Sequence, residues 1–210
     1  MDRDFIAGIK ELTKRDRDLA EIIDRLGYPP QWQRKPGFAT LIQIILEQQV
    51  SLASAKATFE RFNSAVTELT PASFLSLDDT QLKAVGFSRQ KTRYGRELSQ
   101  AIVDRRLDLD LIEQLDDADI RTKLTQIKGI GDWTVDMYLM MALQRQDIFP
   151  SKDLAVIIAV KEIKNLPTRP KPAELEAIAQ LWQPYRAIAT QILWHYYLNT
   201  PRIKGRPPSY

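Results

Sequence analysis

Residues 124–163, LTQIKGIGDWTVDMYLMMALQRQDIFPSKDLAVIIAVKEI, decide how this chain is read. Gly129-Ile130-Gly131 separates two apolar segments of helical period, and Asp153 opens a third. Glycines at 129 and 131 let the backbone turn tightly and come close to a ligand, because no Cβ intervenes. The amides from Gly129 to Trp133 lie at the start of the following helix. Direct hydrogen bonds and the helix dipole there favour an anion such as a phosphate. Lys123 and Lys128 add positive charge beside it. An isolated Gly-x-Gly between helices is more often an ordinary helical hairpin. Asp153 narrows the reading, because one helix and one loop after the turn the chain brings back a carboxylate at a helix start.

Outward from this block, the pattern is helical throughout, and the expected fold class is all-α. Phe5, Ile6, Ile9, Leu12, Leu19, Ile22, Ile23 and Leu26 recur at helical spacing, with a break at Asp16. Phe38 to Glu47 is apolar around most of its circumference and reads as a buried helix. Ser51, Asp78 and Ser88 read as N-caps, Pro71 as a first helical residue, and Gly86 as a terminator. The helix after Ser88 is basic, with Arg89, Lys91, Arg93, Arg96, Arg105 and Arg106 assigned to it. Asp116–Ile127 and Gly131–Leu143 flank the glycine turn, and Ser151 is expected to cap the helix that begins near Asp153. Two more helices follow the proline-rich stretch 168–172, covering 173–182 and 184–199. Residues 1–200 read as one domain of two helical lobes with a cleft between them, and 201–210 as a basic flexible tail.

Composition excludes several chemistries. The chain has 210 residues, no cysteine and one histidine, His195, so thiolate zinc sites, cysteine nucleophiles, cysteine-ligated iron–sulfur clusters and most histidine triads are ruled out. A net charge of +3 is compatible with a polyanionic partner. No apolar run reaches the roughly 20 residues that span a bilayer. The N-terminus, MDRDFIAGIKEL, is too charged for a signal peptide, so no membrane partner and an intracellular location, cytoplasm or nucleoid in a bacterium, are expected. Monomer is the default, since no coiled-coil seam appears.

The hairpin Leu124–Leu139, Pro150 and Asp153 together resemble the helix-hairpin-helix–Gly/Pro/Asp (HhH-GPD) superfamily of base-excision DNA glycosylases. Within it the chain is most similar to the 3-methyladenine DNA glycosylase II branch. Residues 44–51, IILEQQVS, resemble that branch's I-L-x-Q-Q/L-V-S segment, and Trp182-Gln183-Pro184-Tyr185-Arg186 with Trp194 resembles its W-x-P-W/Y-R…W ending. The resemblance spans roughly residues 17–200 and implies an enzyme that flips alkylated purines, of the 3-methyladenine and 7-methylguanine type, out of double-stranded DNA and removes them.

The resemblance also assigns roles. Asp153 would be the catalytic carboxylate, stabilising positive charge on the sugar as the glycosidic bond breaks. Trp133 stands where bifunctional relatives carry a Schiff-base lysine, so the implied enzyme is monofunctional, using water without lyase activity. Trp133 and Trp194, with Met137 and Tyr138, would line the base pocket, where indoles attract a cationic purine. Core packing accounts for both tryptophans equally well from sequence, and the resemblance favours the pocket for Trp194. Gln48 and Gln49 match the segment that supplies the wedge filling the gap behind the flipped base. Lys128, Gly129, Ile130, Gly131 and Thr134 would contact DNA at the hairpin, and Ser88 and Lys91 a second phosphate. Asp132, where relatives often carry a basic or neutral residue, would weaken the phosphate field slightly. No cofactor is required. A structural Na+ or K+ would be held by backbone carbonyls of Thr125, Ile127 and Ile130. His195 is assigned no chemistry. Two other readings stay open: a glycosylase for hypoxanthine, uracil or a mispaired base, and a non-catalytic DNA-structure-binding protein of the same fold.

Overall fold

The structure, a computed structural model, describes residues 2–201. In chain order its helices are α1 Arg3–Arg15, α2 Arg17–Leu26, α3 Phe38–Glu47, α4 Leu52–Ala65, α5 Pro71–Ser76, α6 Asp79–Ala84 and α7 Arg89–Val103. They continue with α8 Leu109–Ile112, α9 Asp117–Thr125, α10 Asp132–Met141, α11 Leu154–Ile163, α12 Pro172–Ala179 and α13 Arg186–Asn199. A short 3-10 turn, Gln180–Trp182, follows α12, and no strand occurs among the described residues. The all-α expectation holds.

Most helix ends fall where the capping residues place them. Ser51, Thr70, Asp78, Ser88 and Asp116 each accept a backbone amide in the first turn of the helix they open. Three details differ from the sequence reading. Helix α7 ends at Val103, so Arg105 and Arg106 lie beyond it, Arg105 in the left-handed region at φ 59°. The four-residue α8 was not anticipated, being too short to show a hydrophobic period. Asp153 itself caps α11, accepting the Val156 amide at 3.0 Å, while Ser151 sits in the preceding turn. Apart from Pro201, the basic tail at 201–210 lies outside the described residues.

Among the described residues the chain divides into two compact units, one formed by 2–32 with 146–201 and the other by 33–145. The first is built on α11 against α13, with α1 and α2 packed beside them. Phe5, Ile9 and Leu12 from α1 meet Val156 and Val160 from α11 and Ile192 and Leu193 from α13 in its core. Asp16 is buried within it and serves two helices at once. It ends α1 and caps α2, accepting the amides of Asp18 and Leu19. Its carboxylate also receives Lys164 Nζ at 2.9 and 2.8 Å and Trp182 Nε1 at 2.8 Å. Burial pushes the Asp16 carboxyl up, but hydrogen bonds from Lys164 and Trp182 outweigh it and hold the group below the ordinary carboxylate value. Burial likewise lowers the Lys164 ammonium, and Asp16 and Asp18 more than reverse this, leaving it raised.

In the second unit, α3 is the central helix, with Leu41, Ile42, Ile44 and Ile45 fully buried, as a helix apolar on nearly all sides requires. Helices α4, α7 and α10 pack against it. Phe62, Phe74 and Phe87 stack edge to face with centroids 5.3–5.4 Å apart, and Phe38 joins through Phe74 at 6.3 Å. Helices α9 and α10, joined by the glycine turn, form the hairpin.

Candidate functional site

The hairpin turn is held from two sides. Gln48, at the end of α3, donates its side-chain amide to Gly129 O and to Thr134 Oγ1, both at 2.9 Å. The Tyr94 ring, from α7, lies against Gly129 so closely that a Cβ there would collide with it. Gly129 also sits at φ 95°, which only glycine adopts without strain. Its missing side chain therefore makes room for Tyr94, and the expectation that it admits a ligand is corrected. Gly131 is the open position: it is exposed, and a side chain there would meet nothing within 4 Å of its Cβ. It precedes α10 without a side-chain cap, as a helix start that receives an external acceptor requires.

These facts separate two substitutions. Gly129→Ala should destabilise the protein by about 1–3 kcal/mol through the forced left-handed conformation, before the Tyr94 clash is added. Gly131→Ala should leave thermal unfolding unchanged and weaken duplex DNA binding about fivefold, because the added methyl holds a phosphate back from the first-turn amides at a cost of roughly one hydrogen bond. Melting curves and binding titrations on both variants test the pair, and equal effects on stability would contradict it.

Several hairpin assignments are also corrected. Ile130 is buried, and its amide is used within the turn, donating to Ile127 O at 3.0 Å. Thr134 is buried under Gln48. Neither residue offers surface to DNA, whereas Lys128 and Gly131 are exposed. Asp132 does not stand as an uncompensated negative charge. Arg121 lies 3.5 Å from its carboxylate and bonds Asp136 at 2.5 Å, tying α9 to α10. Met137 and Tyr138, expected in the base pocket, belong to the core of their own unit. Tyr138 is fully buried, and its hydroxyl accepts the Gly37 amide at 2.9 Å. Burial pushes its phenol up. Trp133 is half-buried in the first turn of α10.

Gln48 and Gln49 part company. Gln48 is occupied by the hairpin, so the structure does not support it as a wedge. Gln49 is exposed at φ 55°, just past the end of α3, and is followed by exposed Val50 and Leu52. Lys91 turns inward: its ammonium donates to Leu46 O at 2.6 Å, closing a carbonyl at the C-terminal end of α3. Burial lowers this ammonium, and Glu47 opposes the shift. Lys91 thus holds a helix end, which corrects its assignment to a phosphate. Ser88 caps α7 and is exposed.

The carboxylate site belongs to the other unit. Asp153 is 9% exposed, and its Oδ1 accepts two donors, the Val156 amide at 3.0 Å and Trp194 Nε1 at 3.2 Å. The start of α11 favours negative charge there. Trp194 in turn packs edge to face with Trp32, centroids 5.8 Å apart. Trp32 is anchored through its amide to the Oε1 of Gln191, a buried side chain on α13. The W-x-P-Y-R segment proves to be structural. Trp182 is fully buried on Asp16 and Phe149, and Arg186 grips Asp147 through Nε and Nη2 at 2.7 and 3.1 Å. Residues 147–153 are therefore fastened at both ends to α13, by Arg186 and by Trp194.

Trp32 and Gln191 were missed from sequence. The available signal was one of only four tryptophans standing in a proline-flanked loop without apolar neighbours. His195 bonds Leu26 O and Asn199, a structural role. No group of three or more His, Asp or Glu side chains that could hold a metal occurs among the described residues.

Known proteins are similar to this chain in sequence and in fold. The model of the HhH-GPD superfamily of base excision DNA repair proteins matches residues 42–184. DNA-3-methyladenine glycosylase 1 of Schizosaccharomyces pombe is 28% identical over 193 residues, which cover 90% of this chain and 83% of the relative. YfjP of Bacillus subtilis, a putative DNA-3-methyladenine glycosylase, is 32% identical over 162 residues, covering 73% of this chain and 56% of the relative. Among solved structures, the S. pombe 3-methyladenine DNA glycosylase in complex with abasic DNA is similar with a TM-score of 0.84 at 28% identity, covering 90% of this chain and 95% of that one. The glycine-turn hairpin, Pro150 and Asp153 all fall inside the matched span, and the chain belongs to the HhH-GPD superfamily of base excision DNA repair proteins.

Proposed function

We propose that this chain is a monofunctional DNA glycosylase that hydrolyses the N-glycosidic bond of alkylated purines in double-stranded DNA. The observation that carries the reading is the Asp153 carboxylate, fixed at the start of α11 by the Val156 amide and the Trp194 indole. A purine alkylated at N3 or N7 carries a positive charge and leaves as a neutral base. The bond from the sugar C1′ breaks with its electron pair going to the base, and the departing group needs no proton. A single carboxylate that stabilises the oxocarbenium-like sugar then suffices, with water forming the new bond at C1′ and its proton passing to solvent. This agrees with a site in which the one histidine is engaged elsewhere. A half-buried indole beside the carboxylate favours a cationic over a neutral base. The S. pombe and B. subtilis relatives bear the name DNA-3-methyladenine glycosylase, which supports the same substrate class.

Other residues take supporting roles in this reading. The uncapped helix start at Gly131 and the exposed Lys128 hold a backbone phosphate. Gln49 is the wedge, since Gln48 is bound to the hairpin. Trp133 forms no imine, so borohydride should trap no covalent DNA adduct. A Na+ or K+ ion on the carbonyls of Thr125, Ile127 and Ile130 would add positive charge near that phosphate. It would share the Ile127 oxygen with the Ile130 amide through the second lone pair. Repair of chromosomal DNA implies an intracellular location.

The test is release of 3-methyladenine, 7-methylguanine, hypoxanthine and uracil from defined duplexes under single-turnover conditions. The two methylated, cationic bases should leave fastest. Preferential release of hypoxanthine or uracil would overturn the substrate class, and release of none would favour a DNA-binding role.

A further inference from the structure

We infer that Trp32 is a positioning residue for catalysis, acting on Asp153 through Trp194. The inference rests on the glycosylase reading of Asp153. Three contacts connect these residues within one unit. The Trp32 backbone is tied to α13 by the buried Gln191 amide at 3.1 Å, one helical turn before Trp194. The Trp32 indole meets the Trp194 indole at an interplanar angle of 88°, and Trp194 donates to Asp153 Oδ1 at 3.2 Å. Trp194 is half-buried on the last helix, with one side against the core of its unit and one hydrogen bond at its edge. The perpendicular Trp32 ring supplies the restraint from the other side and so sets the direction of the N–H.

Gln191 and Trp194 are three residues apart on α13, so the loop segment bearing Trp32 and the ring it restrains share one rigid support. The loop's proline flanks, Pro29-Pro30 and Pro36, limit its backbone freedom further. Trp32 touches no atom of Asp153 in this chain of contacts. Its influence is on where the carboxylate oxygen is held relative to the developing charge.

Because small misplacements of a catalytic group can cost up to 10²-fold, Trp32→Ala should slow single-turnover base release by about 10- to 30-fold. DNA affinity and the half-saturating enzyme concentration should stay within about twofold, since Trp32 acts in this inference through Trp194 and not on the DNA. Trp32→Phe, which keeps an aromatic ring, should restore the rate to within about threefold. The decisive readout is a double-mutant cycle with Trp194→Phe, which deletes the N–H donor. In that background Trp32→Ala should have almost no further effect, because the group it orients is gone. Multiplicative slowing in the double variant, or a wild-type rate in Trp32→Ala, would overturn the inference. If Trp32→Ala melts at assay temperature, Trp32→Leu carries the same cycle with most of the apolar bulk kept. Asp153→Asn in parallel separates the two levels: an inactive Asp153→Asn with an unimpaired Trp32→Ala refutes only the role of Trp32, whereas a fully active Asp153→Asn refutes the glycosylase assignment of Asp153 itself.

Discussion

Asp153→Asn is expected to reduce base release from alkylated duplex DNA by at least about 10²–10³-fold, the range for losing one preorganised electrostatic group. Asparagine is nearly isosteric and is itself a good N-cap, so its side-chain oxygen can still accept the Val156 amide and the Trp194 indole N–H. Only the charge is lost. Unfolding temperature and DNA affinity should therefore match the wild type, so the whole defect falls on the chemical step. Single-turnover kinetics with enzyme in excess, alongside a binding titration, measure both quantities. Asp153→Ala would be a poorer probe, because it also removes the cap of α11, worth about 1 kcal/mol. A wild-type rate in Asp153→Asn would end the assignment.

Asp16→Ala should be the most destabilising single change, at about 3–4 kcal/mol, because it removes a buried member of an ionic and hydrogen-bonded cluster. Alanine cannot cap α2, leaves the buried Trp182 N–H without this acceptor, and leaves Lys164 with Asp18 as its remaining carboxylate. Urea denaturation should show a lower midpoint at unchanged slope. The pH dependence has a definite sign. Asp16 is held below its ordinary value of 3.8, so its contribution is present above that pH and is lost as pH falls through the depressed native value. Lys164 is raised above 10.5, so its contribution is complete below that pH and is lost only as pH rises through the higher native value. The variant should therefore lose less stability than the wild type on acidification below about pH 4, near the carboxylate reference value. An equally steep acid limb in both proteins would contradict the account.

The helices were legible because local chemistry defines them. Ser51, Asp78 and Ser88 cap where their side chains predict, the break falls at Asp16 as expected, and α3 is buried because it has almost no polar face. What the sequence could not disclose were contacts between residues far apart in the chain. Gly129 reads as an opening until Tyr94, 35 positions earlier, is found against it. Lys91 reads as a phosphate ligand until its ammonium is seen on the end of α3, and Gln48 as a wedge until both its bonds to the hairpin are seen. Met137 and Tyr138 share a helix with the hairpin amides but face its core, a distinction an all-round apolar helix does not encode in its periodicity. The Asp153–Trp194 pairing needed two separate stretches, and nothing in either marks Trp32 as the third member.

The double fastening of residues 147–153 on α13 has an evolutionary reading. Arg186 and Trp194 are eight residues apart on one helix, which sets the two anchor points about 12 Å apart along its axis. Between them, Ile148, Phe149 and Pro150 are buried, Phe149 against Trp182, which leaves Ser151 and Lys152 as the positions open to change between two fixed ends. Substitutions there can reshape what lies beside the carboxylate while the carboxylate keeps its mounting. A helix with two fixed clamps thus lets selection explore new damaged bases without dismantling the chemistry that removes them.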